Sequence, residues 1–474
     1  MTYKEARVYL DELSKYGSVL GLDTIRGLLH ELGDPQESLW FIHIAGTNGK
    51  GSVLAYTSTI LSEAGYRVGR YVSPTVVSYL ERIQTDGTWI SEEMFAELTA
   101  QVRDAIARLE AAGKPVPTVF EAETAIAFLY FRRMECDLVV LESGLGGALD
   151  ATNIITRTVC AVFASISMDH VGVIGNTLEE IAENKAGIIK PGCSVVSAPQ
   201  RPSVTDILRS RAAQYGCPFA QADPGQAEIL HSDYRGIRLS YPEFGTVSTQ
   251  LAGSCQADNL ITALETVRAL RKLSYRISDR AVRDGAARTV WPGRFTCISR
   301  GKPLFILDGA HNEDAARRLR GSMEACFPGK RLIFIMGVFR DKDYGAVARI
   351  MCPLASVVYT VDLPDRRRGL PAGDLARAAG KYCPSVTAFP DAGTSQENGT
   401  PQENSTPQEN GTPQKTETPH GSAGLSGIPK AVASALRAAE PDDVIAAFGS
   451  LSYLHRVKEA YDQITKEGGT SNDR

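Results

Sequence analysis

Residues 44–52 read Ile44-Ala-Gly-Thr-Asn-Gly-Lys-Gly-Ser52, a glycine-rich turn set between an apolar run and a helix-like run. Leu39-Trp-Phe-Ile-His-Ile44 has the length and β-rich composition of a buried strand, and beyond Lys50 the residues Val53, Leu54, Thr57, Ile60 and Leu61 recur at helical spacing. A strand, a glycine turn and a helix in that order make a phosphate cradle. Gly46, Gly49 and Gly51 let backbone N–H groups face an anion, and the helix N-terminus adds partial positive charge. Lys50 supplies a point charge for a β- or γ-phosphate, and Ser52 a hydroxyl near a metal ion. The strict Walker A pattern is broken twice, by Ile44 where its first glycine belongs and by Gly51 between Lys50 and Ser52. An ordinary glycine-rich turn is the competing reading of this stretch.

Outward from the loop, strand-like runs alternate with helical patterns, which predicts parallel sheets covered by helices. Strands are expected at 39–45, 67–72, 137–142, 159–166 and 193–198, and helices near 51–64, 91–112, 121–134 and 178–187. Asp137-Leu-Val-Val-Leu141 is apolar without alternation, as a strand buried on both faces is. Residues 228–250 differ, with an Arg-Gly turn between short alternating segments that predicts a small antiparallel hairpin. A helix over about 256–272 follows, and the α/β pattern restarts near Trp291. Strands are expected at 305–307, 331–336, 356–361, 385–389 and 443–448, with helices at 312–326 and 451–465. These runs divide the chain into domains at 1–290 and 291–474. At 394–424 the pattern breaks, with Thr-Pro-Gln-Glu-Asn recurring at 400–404 and 406–410. Such repeats carry no aliphatic residue for a core, so a disordered insert without a catalytic part is expected.

The 474 residues suffice for two or three domains, and 51 basic against 55 acidic residues leave no field that argues for nucleic acid or an acidic membrane. Nine cysteines lie far apart with no Cys-x-x-Cys pair, favouring reduced thiols over a metal site or disulfide framework. The N-terminus has no apolar leader and no run approaches the roughly 20 apolar residues of a membrane span. A soluble, cytoplasmic protein is expected.

Polar groups cluster where strands end, the place α/β folds hold ligands. Ser73 follows one strand and Glu142 ends another, where a carboxylate could hold Mg2+. Asp169-His170 follows a third, with Lys185 on the next helix. Asp308-Gly-Ala-His311-Asn312 and Asp341-Lys-Asp343 stand at strand ends in the second half. Taken singly, His170 could be structural and Lys185 a solvated helix lysine. Together these positions describe a cleft holding a nucleoside triphosphate.

This string of motifs resembles the folylpolyglutamate synthase and dihydrofolate synthase family, within the Mur ligase superfamily. The resemblance runs through Gly46-Thr-Asn-Gly-Lys-Gly-Ser52, Glu81-Arg-Ile83, Phe120-Glu-Ala-Glu-Thr124, Gly144-Leu-Gly-Gly147 and Leu149-Asp-Ala-Thr-Asn153. It continues through Asp169-His170, Gly175 to Ile181, Lys185 to Gly192, Gln256 to Asn259, Trp291 to Arg294 and Asp308 to Asn312. It implies an α/β fold: a P-loop Mur-ligase-type ATPase domain with a mostly parallel sheet, plus a smaller Rossmann-like C-terminal domain. The implied activity is ATP-dependent addition of L-glutamate to (tetrahydro)folate polyglutamates, and also to dihydropteroate, through an acyl phosphate. By the same resemblance, ATP is held by Gly46, Thr47, Asn48, Gly49, Lys50, Gly51, Ser52, Asn259, Arg294, Asp308 and His311. Folate or pteroate is held by Thr118, Val119, Phe120, Glu121, Leu149, Asp150 and Ala151. Two Mg2+ ions fall to Ser73, Glu142, His170 and Lys185, the last as a carbamate formed with carbon dioxide, and Lys50, His170 and Lys185 are the implied catalytic residues. Thr75, Ser143, Ala148 and Cys255 depart from the family pattern. A monomer working on small molecules, without nucleic acid or membrane, is expected.

Two alternatives stand beside this. A cell-wall Mur ligase would run the same chemistry, but by resemblance it carries about a hundred residues before the phosphate loop, where only 45 precede Gly46 here. A non-catalytic nucleotide-binding homologue would have no reason to keep Lys50, Glu142, His170, Lys185 and Asp308.

Overall fold

The computed structural model describes residues 1–17, 20–299, 301–391 and 427–469. The repeats of 394–424 lie outside them. The chain forms two compact units. The first comprises residues 1–297 with 307–328, and the second 298–306 with 329–474.

The first unit is built on an eight-stranded sheet ordered Thr88–Trp89, Ile83–Thr85, Val68–Tyr71, Leu138–Glu142, Phe41–Ala45, Thr158–Phe163, Ser194–Ser197 and Phe219–Gln221. Val68–Tyr71 onward is parallel, and the two short strands at the far edge are antiparallel. Phe41–Ala45, which feeds the phosphate loop, is buried throughout and sits between Leu138–Glu142 and Thr158–Phe163. The register sets Ile44 opposite Glu142 and Ala45 opposite Phe163, so three strand ends open side by side. This is why Lys50, Glu142 and the 165–170 segment, distant in sequence, share one end of the sheet.

The helix Lys50–Glu63 is buried over most of its circumference, so its sequence lacks the one-sided apolar stripe of a surface helix. Ile42, Ile44, Val53, Leu54, Ile60 and Leu61 pack in a core with Leu260, Leu264 and Val267 of the helix Cys255–Lys272. On the opposite face, Phe41, Val139 and Leu141 pack with Ala125, Phe128 and Phe131 of the helix Val119–Arg133 and with Leu98 and Val102 of Glu92–Ala111. The expected hairpin has a third strand. Glu228–Asp233, Gly236–Tyr241 and Gly245–Thr249 form an antiparallel sheet. That last strand, Gly-Thr-Val-Ser-Thr, buries Val247 and Thr249 but exposes the rest, so its apolar signal is weak.

In the second unit the strands run in the order Leu304–Leu307, Val444–Phe448, Leu332–Met336, Val357–Val361 and Val386–Phe389, with parallel pairing from Val444–Phe448 onward. Phe334 and Phe448 meet edge to face at 5.1 Å, and the Tyr453 hydroxyl donates to the carbonyls of Ile335 and Phe448. No helix among the described residues is long and apolar enough to cross a membrane.

Candidate active site

The loop leaves its strand and turns at Gly49, whose φ of +89° lies in the left-handed region that glycine occupies without steric cost. Thr47 and Asn48 donate their N–H groups to the Ser165 carbonyl at 2.7 and 3.2 Å, and the Thr47 hydroxyl donates to the Ser167 carbonyl at 3.0 Å. The loop is therefore pinned to the end of the neighbouring strand. Ser52, buried, accepts from Gln256 Nε2 at 3.3 Å, and Gln256 accepts in turn from Asn259 Nδ2 at 3.1 Å. The Trp291 ring covers the face of Gly51, where an added Cβ would stand 2.6 Å from it.

Two lysines converge here. Lys50 Nζ lies 3.8 Å from Glu142 Oε1 and 3.4 Å from the Thr47 carbonyl. Burial pushes the Glu142 carboxyl up, opposed by the charges of Lys50 and Arg294 and by the Ser73 N–H. Lys185, 4 % exposed, donates to the Gly46 carbonyl at 2.9 Å. Burial drives its ammonium down to about 7, and the Lys50 charge adds to that push against the pull of Asp169 and Asp150. A glycine lets the Lys185 helix come this close, since a Cβ on Gly147 would stand 2.7 Å from the Lys185 carbonyl oxygen. So Lys185 is not the solvated helix lysine its neighbourhood in sequence would allow.

Arg294, Asp308 and His311 belong to the first compact unit. Asp308 accepts from the N–H groups of Phe295 and Ala310 at 2.9 and 2.8 Å; burial raises its carboxyl, with Arg294 opposing. His311 Nδ1 lies 2.8 Å from the Gly309 carbonyl and its Nε2 3.9 Å from Asp169. His170 is exposed, with φ +52°, on the 165–175 segment. Among the described residues no three His, Cys, Asp or Glu side chains gather as a metal site. The expected set counts on only two of these types, Glu142 and His170.

The positions expected at the folate site are largely occupied with local structure. Thr118 caps the helix Val119–Arg133, its N–H and hydroxyl both donating to Glu121 Oε2 at 2.8 Å. Asp150 is buried, accepts from Leu145 and Thr152 N–H at 2.7 and 3.0 Å and from the Thr152 hydroxyl, and its carboxyl is pushed up by that burial. Thr152 also meets His43 Nε2 at 2.9 Å. Val119 is half-buried, Ala151 is buried, Phe120 presses its ring on Gly144, and Leu149 is 47 % exposed.

Absent from the sequence reading is a second polar group against the loop. Asn48 exchanges side-chain hydrogen bonds with Asn312 and donates to Asp314 at 2.9 Å, while Arg318 bridges Asp314 and Ser165. Also unread was the buried pair Arg82–Glu123, 2.6 Å apart. The Asp314–Arg318 spacing of four could have been noticed, but it looks like any helix-surface ion pair.

A glycine-turned loop between a central parallel strand and a buried helix, with a lysine and a buried carboxylate at its mouth, defines a P-loop nucleotide-binding protein. Residues 44–267 match the Mur ligase middle domain, and residues 293–397 the Mur ligase glutamate ligase domain. The dihydrofolate synthase/folylpolyglutamate synthase of Bacillus subtilis strain 168 is 34 % identical over 397 residues, 82 % of this chain and 91 % of the relative. Among solved structures, Mycobacterium tuberculosis folylpolyglutamate synthase complexed with ADP and AMPPCP superposes with a TM-score of 0.79 at 26 % identity, covering 98 % of both chains. Escherichia coli FolC in complex with DHPP and ADP gives 0.77 at 27 % identity, again covering 98 % of both. The chain belongs to the folylpolyglutamate synthase and dihydrofolate synthase family of the Mur ligase superfamily.

Proposed function

We propose that this chain joins L-glutamate to the carboxylate of (tetrahydro)folate polyglutamates, and to dihydropteroate, through an acyl phosphate. Family membership makes it an ATP-dependent carbon–nitrogen ligase acting on folates. The relatives favour neither a cell-wall ligase nor a silent homologue. The observation that carries the finer reading is the pair of lysines at the loop, Lys50 facing Glu142 and the buried Lys185 on the Gly46 carbonyl.

A carboxylate is a poor electrophile with a poor leaving group. An oxygen of the substrate carboxylate attacks the γ-phosphorus, the bond to the β-phosphate oxygen breaks, and ADP leaves. The glutamate amine then attacks the acyl carbon, inorganic phosphate departs with the C–O bond electrons, and the amine proton is released. Catalysis of the first step is positioning and charge neutralisation. Lys50 offsets repulsion between the incoming carboxylate and the triphosphate, and the loop N–H groups hold the phosphates.

The residues fit the expected Mg2+. A buried carboxylate whose lysine partner stands 3.8 Å away, with the Ser73 N–H beside it, offers the hard oxygen donor this ion prefers. In our reading Ser73 and Glu142 serve one ion, and His170 with carboxylated Lys185 the other. Bound there, Mg2+ would supply charge stabilisation for the phosphoryl oxygens. Lys185 is suited to carboxylation because its ammonium is driven down to about 7, leaving neutral amine at neutral pH to add to the carbon of carbon dioxide and release a proton. The product is an anionic oxygen donor where a cation would repel metal. For the folate, Phe120 and Leu149 offer apolar surface on a wall shaped by Thr118, Glu121 and Asp150. A monomeric state and a cytoplasmic location belong to this same reading.

The test is ADP release by Lys185→Ala with dihydropteroate and with tetrahydrofolate as acceptors. Most activity with either should be lost, and partly regained with a short-chain carboxylate in the vacated space. Wild-type enzyme should lose turnover in buffer stripped of carbon dioxide and recover it with bicarbonate. Near wild-type ligation by Lys185→Ala without added carboxylate would defeat the carbamate role.

A further inference from the structure

Asp314 and Arg318 sit one turn apart on the helix Glu313–Cys326, with Arg318 Nε 3.1 Å from Asp314 Oδ2. Their other partners set them apart from a surface pair. The same Asp314 oxygen accepts from Asn48 Nδ2 at 2.9 Å. Arg318 Nη2 donates to Ser165 Oγ at 3.1 Å, and Nη1 lies 3.7 Å from Asp258. Ser165 is the residue whose carbonyl anchors the N–H groups of Thr47 and Asn48. The pair thus grips the loop twice, by the Asn48 side chain and by the residue that tethers its backbone. Both side chains are about one-third exposed, 31 % and 32 %, so neither is a freely solvated charge.

We propose that Asp314 and Arg318 are positioning residues for the nucleotide phosphates, acting through Asn48. Asp314 fixes Asn48, and with it the peptide units from Gly49 to Gly51 that face the anion. Arg318 cancels the Asp314 charge, which would otherwise repel phosphate from close range. The proposal rests on reading the loop as a triphosphate cradle. It makes a signed prediction that a brace for the helix would not: losing Arg318 harms because it uncovers Asp314, so neutralising Asp314 as well should repair the harm.

The experiment is calorimetric binding of Mg2+–ADP to the full chain, with kcat and KM for ATP measured alongside. Arg318→Ala should weaken ADP binding about tenfold, the scale of one charge-assisted hydrogen bond. KM for ATP should rise in parallel while kcat holds within about twofold, as for lost uniform binding. Arg318→Gln, which keeps donors but loses charge, should move the same way and serves if the alanine variant folds poorly. Adding Asp314→Asn to either variant should bring binding back to within about threefold of wild type, because the acceptor for Asn48 remains without its charge. Unchanged binding in the single variants, or a double variant no better than Arg318→Ala, would overturn the proposal while leaving the triphosphate reading intact. Failure of the wild-type chain to bind ADP would overturn that reading, and this inference with it.

Discussion

The phosphate loop and the two segments around Thr118–Glu121 and Leu149–Ala151 were equally rich in suggestive polar residues, yet they are built in opposite ways. At the phosphate loop, charge is held with few partners: Lys50 stands 3.8 Å from its carboxylate, and Lys185 rests on a backbone carbonyl. In the other two segments the polar atoms are spent. Thr118 and Glu121 close a capping box, and Asp150 accepts from the backbone on both sides of its own turn. A charge left short of partners is available to a ligand, whereas one saturated by its own backbone shapes the wall the ligand meets.

The sharpest way to break this contrast is Lys50→Ala. We expect the melting temperature to stay close to wild type and kcat to fall by about a thousandfold, the scale of an electrostatic group lost at a developing charge. Near-normal glutamate ligation would put Lys50 among the structural residues.

Asp150→Ala should give the reverse pattern. Buried N–H groups of Leu145 and Thr152 lose their acceptor, so unfolding free energy should drop by about 3 kcal/mol in a urea titration. A variant of unchanged stability with a raised KM for pteroate would show instead that the carboxylate faces the substrate.

The smallest effect concerns His43, on the strand that feeds the phosphate loop and hydrogen-bonded to Thr152 beside Asp150. Burial holds its imidazole down to about 3, with Lys190 adding to the push. In the unfolded chain it takes up a proton near its ordinary 6.5, so the unfolded state binds more protons and stability is lost as pH falls from 6.5 toward 3. His43→Leu removes this contribution. Relative to that variant, the wild type should lose about 2 kcal/mol between pH 7 and pH 5, measured by denaturant titration at each pH. Parallel stability curves for the two proteins would refute the buried neutral histidine.

Much of this architecture was written in runs of residue type. Apolar stretches without alternation marked the central strands to within three residues: Asp137–Glu142 was expected where Leu138–Glu142 stands, 159–166 where Thr158–Phe163 stands, and 51–64 where the helix Lys50–Glu63 stands. Lys50 and Glu142 could be singled out because each follows or ends such an element, whereas Lys185, inside a helix, gained its role only from the family resemblance. Other features escaped, among them the edge strands Ile83–Thr85, Thr88–Trp89 and Phe219–Gln221, too short to form an apolar run. The strand Gly245–Thr249 is half exposed and short of large apolar residues, so pattern alone does not announce it. Asp314 and Arg318 escaped because their role depends on Asn48 and Ser165, more than a hundred and forty residues earlier, which no local spacing records. The partner count that distinguishes Asp150 from Lys185 is equally a property of the folded chain.

The level pairing of Ile44 with Glu142 also bears on how such a chain can change length over generations. Side chains alternate faces along a strand, so a single residue gained or lost within Leu138–Glu142 would turn the carboxylate to the opposite side of the sheet. Lineages are therefore expected to accept substitutions there but no change in spacing. Between Phe389 and Gly427, by contrast, Thr-Pro-Gln-Glu-Asn recurs at 400–404 and 406–410, a period of six residues. Within Leu138–Glu142 length is locked, and the lock is the distance from a strand end to the phosphate loop.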